Sequence, residues 1–266
     1  MNSLDKAGSR VALFLVDGMR PDGLRAADTP FLDRLLTRGA YTYRERTVMP
    51  STTLTCHTSL FFSVPPEVHG ILDNTWKPFP QRIPGLFETV REANLAAASF
   101  FNWEPLRDLW QPGSAAASFF LKDTPEDGGR TDREVTALAL SWLQSHDWAL
   151  SFVYLHNTDK TGHAAGWMSE AYLDAIANAD RCIESICSIL PKDALVIVTS
   201  DHGGHDHTHH TDLAEDMTVP LILQGPGIPE GREIRGDVSI MDVAPTTVRF
   251  LGLGQPEGWQ GKGLVF

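Results

Sequence analysis

Cysteine is scarce in this 266-residue chain, which has three: Cys56, Cys182 and Cys187. The number is odd and no C-x-x-C pair occurs, so a disulfide framework is not expected and a reducing compartment is. Basic residues are also few. Lys and Arg number 22 against 34 Asp and Glu, a formal net charge of −12. A surface of that sign repels a phosphate backbone, which argues against a nucleic-acid polymer as partner. Long apolar runs are missing too. The N-terminal stretch MNSLDKAGSR is polar, and the apolar run after it stops at Asp17. That is too short for a signal peptide or a membrane span, so a soluble cytoplasmic protein with no membrane partner is expected. No internal repeat occurs, and the one biased tract is a His-rich loop. No pattern specifies an oligomeric state.

What remains is ordinary globular composition, 42% hydrophobic and 21% charged. Its length suits one α/β domain over residues 1–266 with a sizeable core. Short runs rich in Val, Ile and Leu predict strands at Val11–Val16, Ala97–Phe101, Trp148–Leu155, Ala194–Thr199 and Val219–Leu223. Continuous apolar runs bounded by turn residues suit strands of a parallel sheet buried on both faces. Helical patterns fall between them. Thr29-Pro30 opens one that closes at Gly39, and others span Thr131–His146, Ser169–Leu190 and Ile240–Leu251. Strand and helix alternate, which predicts a doubly wound α/β sandwich. The stretch from Asp123 to Arg130 reads as an exposed loop.

In open parallel sheets ligands collect at the carboxyl ends of the strands. Asp17 follows the first predicted strand. Asp159 and His163 follow the third, and Asp201 and His202 follow the fourth. His205, His207, His209 and His210 come next in one short loop. Carboxylate with imidazole is the ligand set of zinc and related divalent metals. Taken singly, each has a plain reading: Asp17-Gly18 as a turn, Asp159 as a helix cap, the histidines as a solvated loop. Their joint occurrence at matching strand ends points to a metal site. Pro50–His69 begins PSTTLTCH and turns apolar and helical. A hydroxyl at such a helix start faces free N–H groups and the positive end of the dipole, a place suited to phosphate, although Ser or Thr there often serves only as a cap. Threonine is a weak nucleophile, and no separate base is evident. A metal held by Asp17, Asp201 and His202 would lower the alcohol pKa directly.

These segments together resemble the alkaline phosphatase superfamily, and within it the type I phosphodiesterase/nucleotide pyrophosphatase branch. The matching pieces are LFLVDGMRPD (13–22), PSTTLTCH (50–57), PPEVHGILDN (65–74), NTDKTGHAAG (157–166), TSDHGGHDHTHHTD (199–212) and EDMTVPLILQGPGI (215–228). The resemblance implies an α/β, alkaline-phosphatase-like three-layer sandwich with a mostly parallel central sheet and helices on both faces. It implies two divalent metal ions, zinc first, with manganese or iron as alternatives. Asp17, Asp201 and His202 would hold the ion that contacts Thr53. Asp159, His163 and one later histidine would hold the second. Thr53 would attack a phosphate ester, and Asn74 would steady the non-bridging oxygens. Two departures matter. The usual T-x-P-x-H reads Thr53-Leu54-Thr55-Cys56-His57 here, so Thr53 is chosen by spacing, with Thr52 and Thr55 as neighbouring hydroxyls and Thr55 as the alternative. No histidine follows His210, so the last ligand comes from the His-rich loop; short relatives align His209, with His205 and His210 as alternatives.

The span 76–130 is the one place for a small substrate-facing insertion. It carries Trp76, Phe79, Phe101, Trp103 and Trp110, which would either stack on a flat group or fill a core. Lys160, Arg20 and Arg44 are basic residues that could touch phosphate, with surface roles the simpler reading. The expected activity is hydrolysis of a small phosphate diester or nucleotide pyrophosphate. A phosphomonoesterase or phosphonate hydrolase on the same fold, and a metal-binding module without turnover, are the alternatives. A sulfatase is not expected, since the C/S-x-P-x-R signature is absent around Cys56.

Overall fold

A computed structural model describes residues 9–80, 82–124 and 127–266. Most of the polar N-terminal stretch, and two residues of the 123–130 loop, lie outside the described residues. Among the described residues nine strands form one sheet: β1 Val11–Val16, β2 Ala40–Arg46, β3 Ala97–Phe101, β4 Ala117–Phe120, β5 Leu150–Leu155, β6 Leu195–Thr199, β7 Thr218–Gln224, β8 Arg232–Glu233 and β9 Val238–Ser239. The order is β4-β3-β5-β1-β6-β7-β2-β8, and β9 also pairs with β2. The β6–β7 and β7–β2 pairs are antiparallel and the other pairs parallel, so β7 runs against its neighbours. This corrects the expectation that Val219–Leu223 joins the parallel set. Its core is buried on both faces, as in a parallel strand, and burial carries no information on direction.

The helices are α1 Pro21–Ala26, α2 Pro30–Arg38, α3 Thr53–Phe62, α4 Pro66–His69, α5 Leu86–Glu92, α6 Arg130–Ser145, α7 Asn157–Ala165, α8 Glu170–Cys187, α9 Ala214–Met217 and α10 Val243–Phe250. The late helix is shorter than expected, because Ile240–Asp242 forms a 3₁₀ turn before it. Thr29 precedes α2 as expected but makes no side-chain cap; its hydroxyl leans back toward Leu24 C=O at 3.4 Å.

The period of two in a strand sorts its side chains onto two faces. Val11, Leu13 and Leu15 pack with Leu54, Leu86 and Val243, from α3, α5 and α10. Ala12, Phe14 and Val16 pack with Leu24, Leu32, Val135 and Ile176, from α1, α2, α6 and α8. The sheet is therefore covered on both sides, which makes three layers. Helix α3 is buried along all ten of its residues. It must be apolar or internally bonded around its whole circumference, and its hydroxyls bond locally: Thr58 Oγ1 donates to Leu54 C=O at 2.6 Å.

The strand order places the chemistry. β1 lies between β5 and β6. Their carboxyl ends lead into Asp17, the 156–159 turn and Asp201, so three carboxylates far apart in sequence become neighbours at one edge.

Candidate functional site

Asp17 follows β1, Asp159 sits in the first turn of α7, and Asp201-His202 follow β6. All four are buried. They fall into two clusters, Asp17 with Asp201 and His202, and Asp159 with His163 and His209. Of the four histidines in the loop, His209 joins the second cluster. His205 donates instead to Asp216 Oδ1 at 2.7 Å, and His207 to His163 C=O at 3.1 Å. His210 pairs through Nδ1 with Thr52 Oγ1 at 3.1 Å.

The tautomers follow from the partners. A carbonyl only accepts, so a ring nitrogen facing one carries the proton. His202 Nδ1–H donates to Gly203 C=O at 2.8 Å, His209 Nδ1–H to Ser51 C=O at 2.7 Å and His163 Nδ1–H to His207 C=O at 2.9 Å. Each Nε2 lone pair is thereby left for the cluster, the orientation that outer hydrogen bonds impose on metal-binding imidazoles.

His202 Nε2 is 3.4 Å from both Asp17 Oδ1 and Asp201 Oδ2. His163 and His209 Nε2 stand 3.5 and 3.7 Å from Asp159 Oδ1. These gaps are long for hydrogen bonds. Donors about 2.1 Å from one tetrahedral ion stand roughly 3.4 Å apart, which is the spacing seen. Asp17 Oδ1, Asp159 Oδ1 and Asp201 Oδ2 are also buried without any hydrogen-bond partner. A buried carboxylate oxygen left so is costly unless a cation meets it. The donor set and its orphaned atoms therefore fit a divalent ion in each cluster.

The electrostatics agree. Burial, with the charges of Asp201 and Asp159, pushes the Asp17 carboxyl well above its usual range. Burial, with the Asp159 charge, raises Asp201 to about 7. Burial lowers His202 to about 3 and His209 to about 2, so both rings are neutral and able to ligate.

Thr53 opens α3, and its Oγ1 lies 3.1 Å from His202 Nε2. Since that nitrogen carries a lone pair, the threonine O–H donates to it. Thr52 faces His210, and Thr55 Oγ1 is buried without a partner. Among the three neighbouring hydroxyls, Thr53 is the one at the Asp17–Asp201–His202 cluster. Asn74 Oδ1 accepts the Leu54 N–H at 3.0 Å, which ties the asparagine to the first turn of α3 and leaves its Nδ2 hydrogens uncommitted to that bond. His57 Nδ1–H donates to Thr53 C=O at 2.7 Å, and burial lowers its pKa to about 3.

Several residues that hold the site have no signal of their own in the sequence. Tyr154 lies in the apolar run of β5 and donates its O–H to Asp17 Oδ2, turning Oδ1 toward His202. Trp167 packs edge-on to His163 and His209, with ring centroids at 5.0 and 6.0 Å. Its Nε1–H donates to Gly18 C=O at 3.0 Å, as does Tyr172 O–H at 2.9 Å. Gly18 has φ +67°, and a Cβ there would press on Asp159 at 3.1 Å. Asp132 accepts the His156 N–H at 3.1 Å and fixes the turn into α7.

Arg20 is partly buried: it clamps Asp22 and donates to Gly204 C=O at 2.9 Å. Lys160 bonds Asp123 and Asp127, both at 3.1 Å. The Asp127 side chain is 1% exposed, so that part of the 123–130 loop is tucked in. Arg44 lies 3.6 Å from Glu233. Phe101 and Trp110 belong to the core. Trp76, Phe79 and Trp110 also line a cavity of ≈ 610 Å³ with Arg82 and Arg107.

Among curated proteins, a 2,3-bisphosphoglycerate-independent phosphoglycerate mutase of Clostridium kluyveri is 29% identical over 158 residues, 58% of this chain and 30% of the mutase. One of Staphylococcus aureus is 33% identical over 139 residues, 50% of this chain and 26% of that enzyme. The chain spans under a third of the length of either relative. Among solved structures, an inactive variant of murine ectonucleotide pyrophosphatase/phosphodiesterase 5 in complex with AMP matches at TM-score 0.77 and 16% identity, covering 96% of this chain and 97% of that one. A phosphonate monoester hydrolase of Silicibacter pomeroyi matches at TM-score 0.71 and 15% identity, covering 96% and 76%. At such identities the likeness speaks for the fold, which is alkaline-phosphatase-like. Helices with apolar runs long enough to cross a membrane are absent among the described residues. The model of one family, type I phosphodiesterase / nucleotide pyrophosphatase, matches residues 11–221, from the first strand through both clusters, and the chain belongs to that family.

Proposed function

We propose that the chain hydrolyses phosphate diesters or nucleotide pyrophosphate-type bonds through a phosphothreonine formed at Thr53. The observation that carries this reading is the 3.1 Å approach of the Thr53 hydroxyl to His202 Nε2, at the edge of a cluster in which one oxygen of each carboxylate has no hydrogen-bond partner. Asp17, Asp201 and His202 would hold one divalent cation together with Thr53. Asp159, His163 and His209 would hold another. Zinc suits the donors best, with manganese or iron acceptable to the same set. When bound, the pair would supply a lowered alcohol pKa and positive charge beside the phosphoryl oxygens.

The chain's own groups do the rest. Thr53 Oγ1 forms the bond to phosphorus, and the bond to the leaving oxygen breaks. The N-terminus of α3 presents its positive end to the phosphoryl group. The Asn74 amide, braced on Leu54 N–H, donates to a non-bridging oxygen. Tyr154 keeps Asp17 oriented, and Trp167 walls the second cluster. Water then cleaves the phosphothreonine and restores the hydroxyl. The substrate is a small phosphate ester, and the acidic surface argues against a polymer.

A second reading, phosphomonoester or phosphonate chemistry on the same residues, is favoured by the mutase names of the curated relatives and by the phosphonate monoester hydrolase fold match. A panel of mono-aryl and bis-aryl phosphates, nucleotides and phosphonates separates the readings, run with and without chelator and on Thr53→Ala. Faster bis-aryl cleavage, abolished by chelator and by the variant, is expected. Faster mono-aryl or phosphonate cleavage would favour the second reading. Bound metal without turnover of any ester would leave a metal-binding module.

A further inference from the structure

His156 has no place in the two clusters above, yet both its backbone and its ring are held by carboxylates. Its N–H is held by Asp132 Oδ1 at 3.1 Å. Its Nδ1–H donates to Asp123 Oδ2 at 2.9 Å. Asp123 is itself gripped by Lys160 at 3.1 Å, and Lys160 is anchored on Asp127. A ring nitrogen committed to a carboxylate is the outer-shell arrangement that orients a metal-binding imidazole and raises its basicity. The free Nε2 stands 3.7 Å from Asp159 Oδ2. That gap equals the one between His209 and the other oxygen of the same carboxylate. Donor atoms of Asp17, His156 and Asp159 lie within 4.8 Å of one another.

We propose that Asp17, Asp159 and His156 form a third cation position, joined to the second cluster through the two oxygens of Asp159. The proposal shares Asp17 and Asp159 with the hydrolase reading but rests on His156 and its buttress. Asp159 then acts as a bridge, with Oδ1 toward His163 and His209 and Oδ2 toward His156. Asp17, a member of the first cluster, contributes through Oδ1, which the two ions would share, because its Oδ2 takes the Tyr154 O–H. Two carboxylate oxygens and one imidazole nitrogen suit Mn²⁺ or Zn²⁺.

Equilibrium dialysis of the whole chain against Mn²⁺, followed by metal and protein analysis, counts the sites. Three ions per chain are expected for the parent and two for His156→Ala, with circular dichroism confirming that the variant is folded. Asp123→Asn keeps the imidazole but removes the buttressing charge. It is expected to weaken the third ion by about 10- to 100-fold and leave the other two unchanged. A parent that binds only two ions at millimolar Mn²⁺, or a His156→Ala protein that still binds three, overturns the proposal. In either case the role of His156 is to pair with Asp159 and not to hold an ion. Three bound ions without hydrolysis of any ester would instead count against the hydrolase reading and leave this one standing.

Discussion

Thr52, Thr53 and Thr55 are a residue or two apart, and their hydroxyls meet different surroundings. Thr52 faces His210, Thr55 has no partner, and Thr53 donates to His202. Replacing Thr53 by alanine should lower turnover of the preferred ester by more than about 10³-fold while leaving metal content close to normal, since the Asp and His donors remain. Steady-state kinetics beside metal analysis checks both halves. Tyr154→Phe should have the reverse profile. It removes one O–H from Asp17 and little volume, so a loss of about 10- to 100-fold in affinity for the first cation is expected in a metal titration, with the fold intact. At this scale the clustered carboxylates and imidazoles were legible in the sequence and their supports were not. Asp17, Asp159 and Asp201 each follow an apolar run and stand out as charges at strand ends. Tyr154, Trp167 and His156 read as core or surface because what they do depends on partners far away in the chain.

At the scale of elements, α4 and the turn after it carry Asn74 to the start of α3. His69 pins that turn: Ile71 N–H donates to Nδ1 at 3.0 Å, so Nε2–H donates to Ser59 Oγ at 3.0 Å. Burial lowers its pKa to about 4. Below the ordinary imidazole value of about 6.5 the unfolded chain takes up a proton that the folded chain refuses. The contribution of His69 is thus complete above that pH and is lost as pH falls from about 6.5 through 4. His69→Gln can make both hydrogen bonds without titrating. Its urea-unfolding free energy should fall less steeply than the parent's across that window; an identical slope would show that His69 is not the group responsible. Another element-level dependence is the seat of Trp167. A Cβ on Gly204 would stand 2.2 Å from its indole. Gly204→Ala should destabilise the protein by about 1–3 kcal/mol through overpacking and loosen the cluster of Asp159, His163 and His209, both measurable by denaturation with and without metal. Elements also show where pattern reading stopped. β1, β3, β5 and β6 were visible as apolar runs. β2, AYTYRER, was hidden because it lies near the sheet edge with arginines facing out, and β4 because it has four residues. The direction of β7 was not readable at all, since an apolar run looks the same either way.

For the whole molecule, one carboxylate from each of three neighbouring strand ends is buried at a single edge. Without cations those charges repel, and burial, together with that repulsion, raises the pKa values of Asp17 and Asp201. Ions that bind only the folded chain must stabilise it by mass action. Exhaustive chelation should lower the melting temperature and abolish turnover together, and Zn²⁺ or Mn²⁺ should restore both. Retention of either property after metal removal would separate the site from the fold's stability or from the chemistry. The general architecture was legible because alternating apolar strands and amphipathic helices allow few other solutions. The identity of the ester was not, since Trp76, Phe79 and Arg82, which line the cavity described above, are of types that fit a core or a surface equally well.

Attack by an alcohol on α3 leaves a covalent trace. Acid-quenching the metal-loaded chain during turnover and mapping covalent phosphate by peptide mass spectrometry looks for it. Phosphothreonine at Thr53 is expected, absent after chelation and absent in Thr53→Ala. Full turnover with no phosphorylated peptide, or with the phosphate on Thr52 or Thr55, would contradict it.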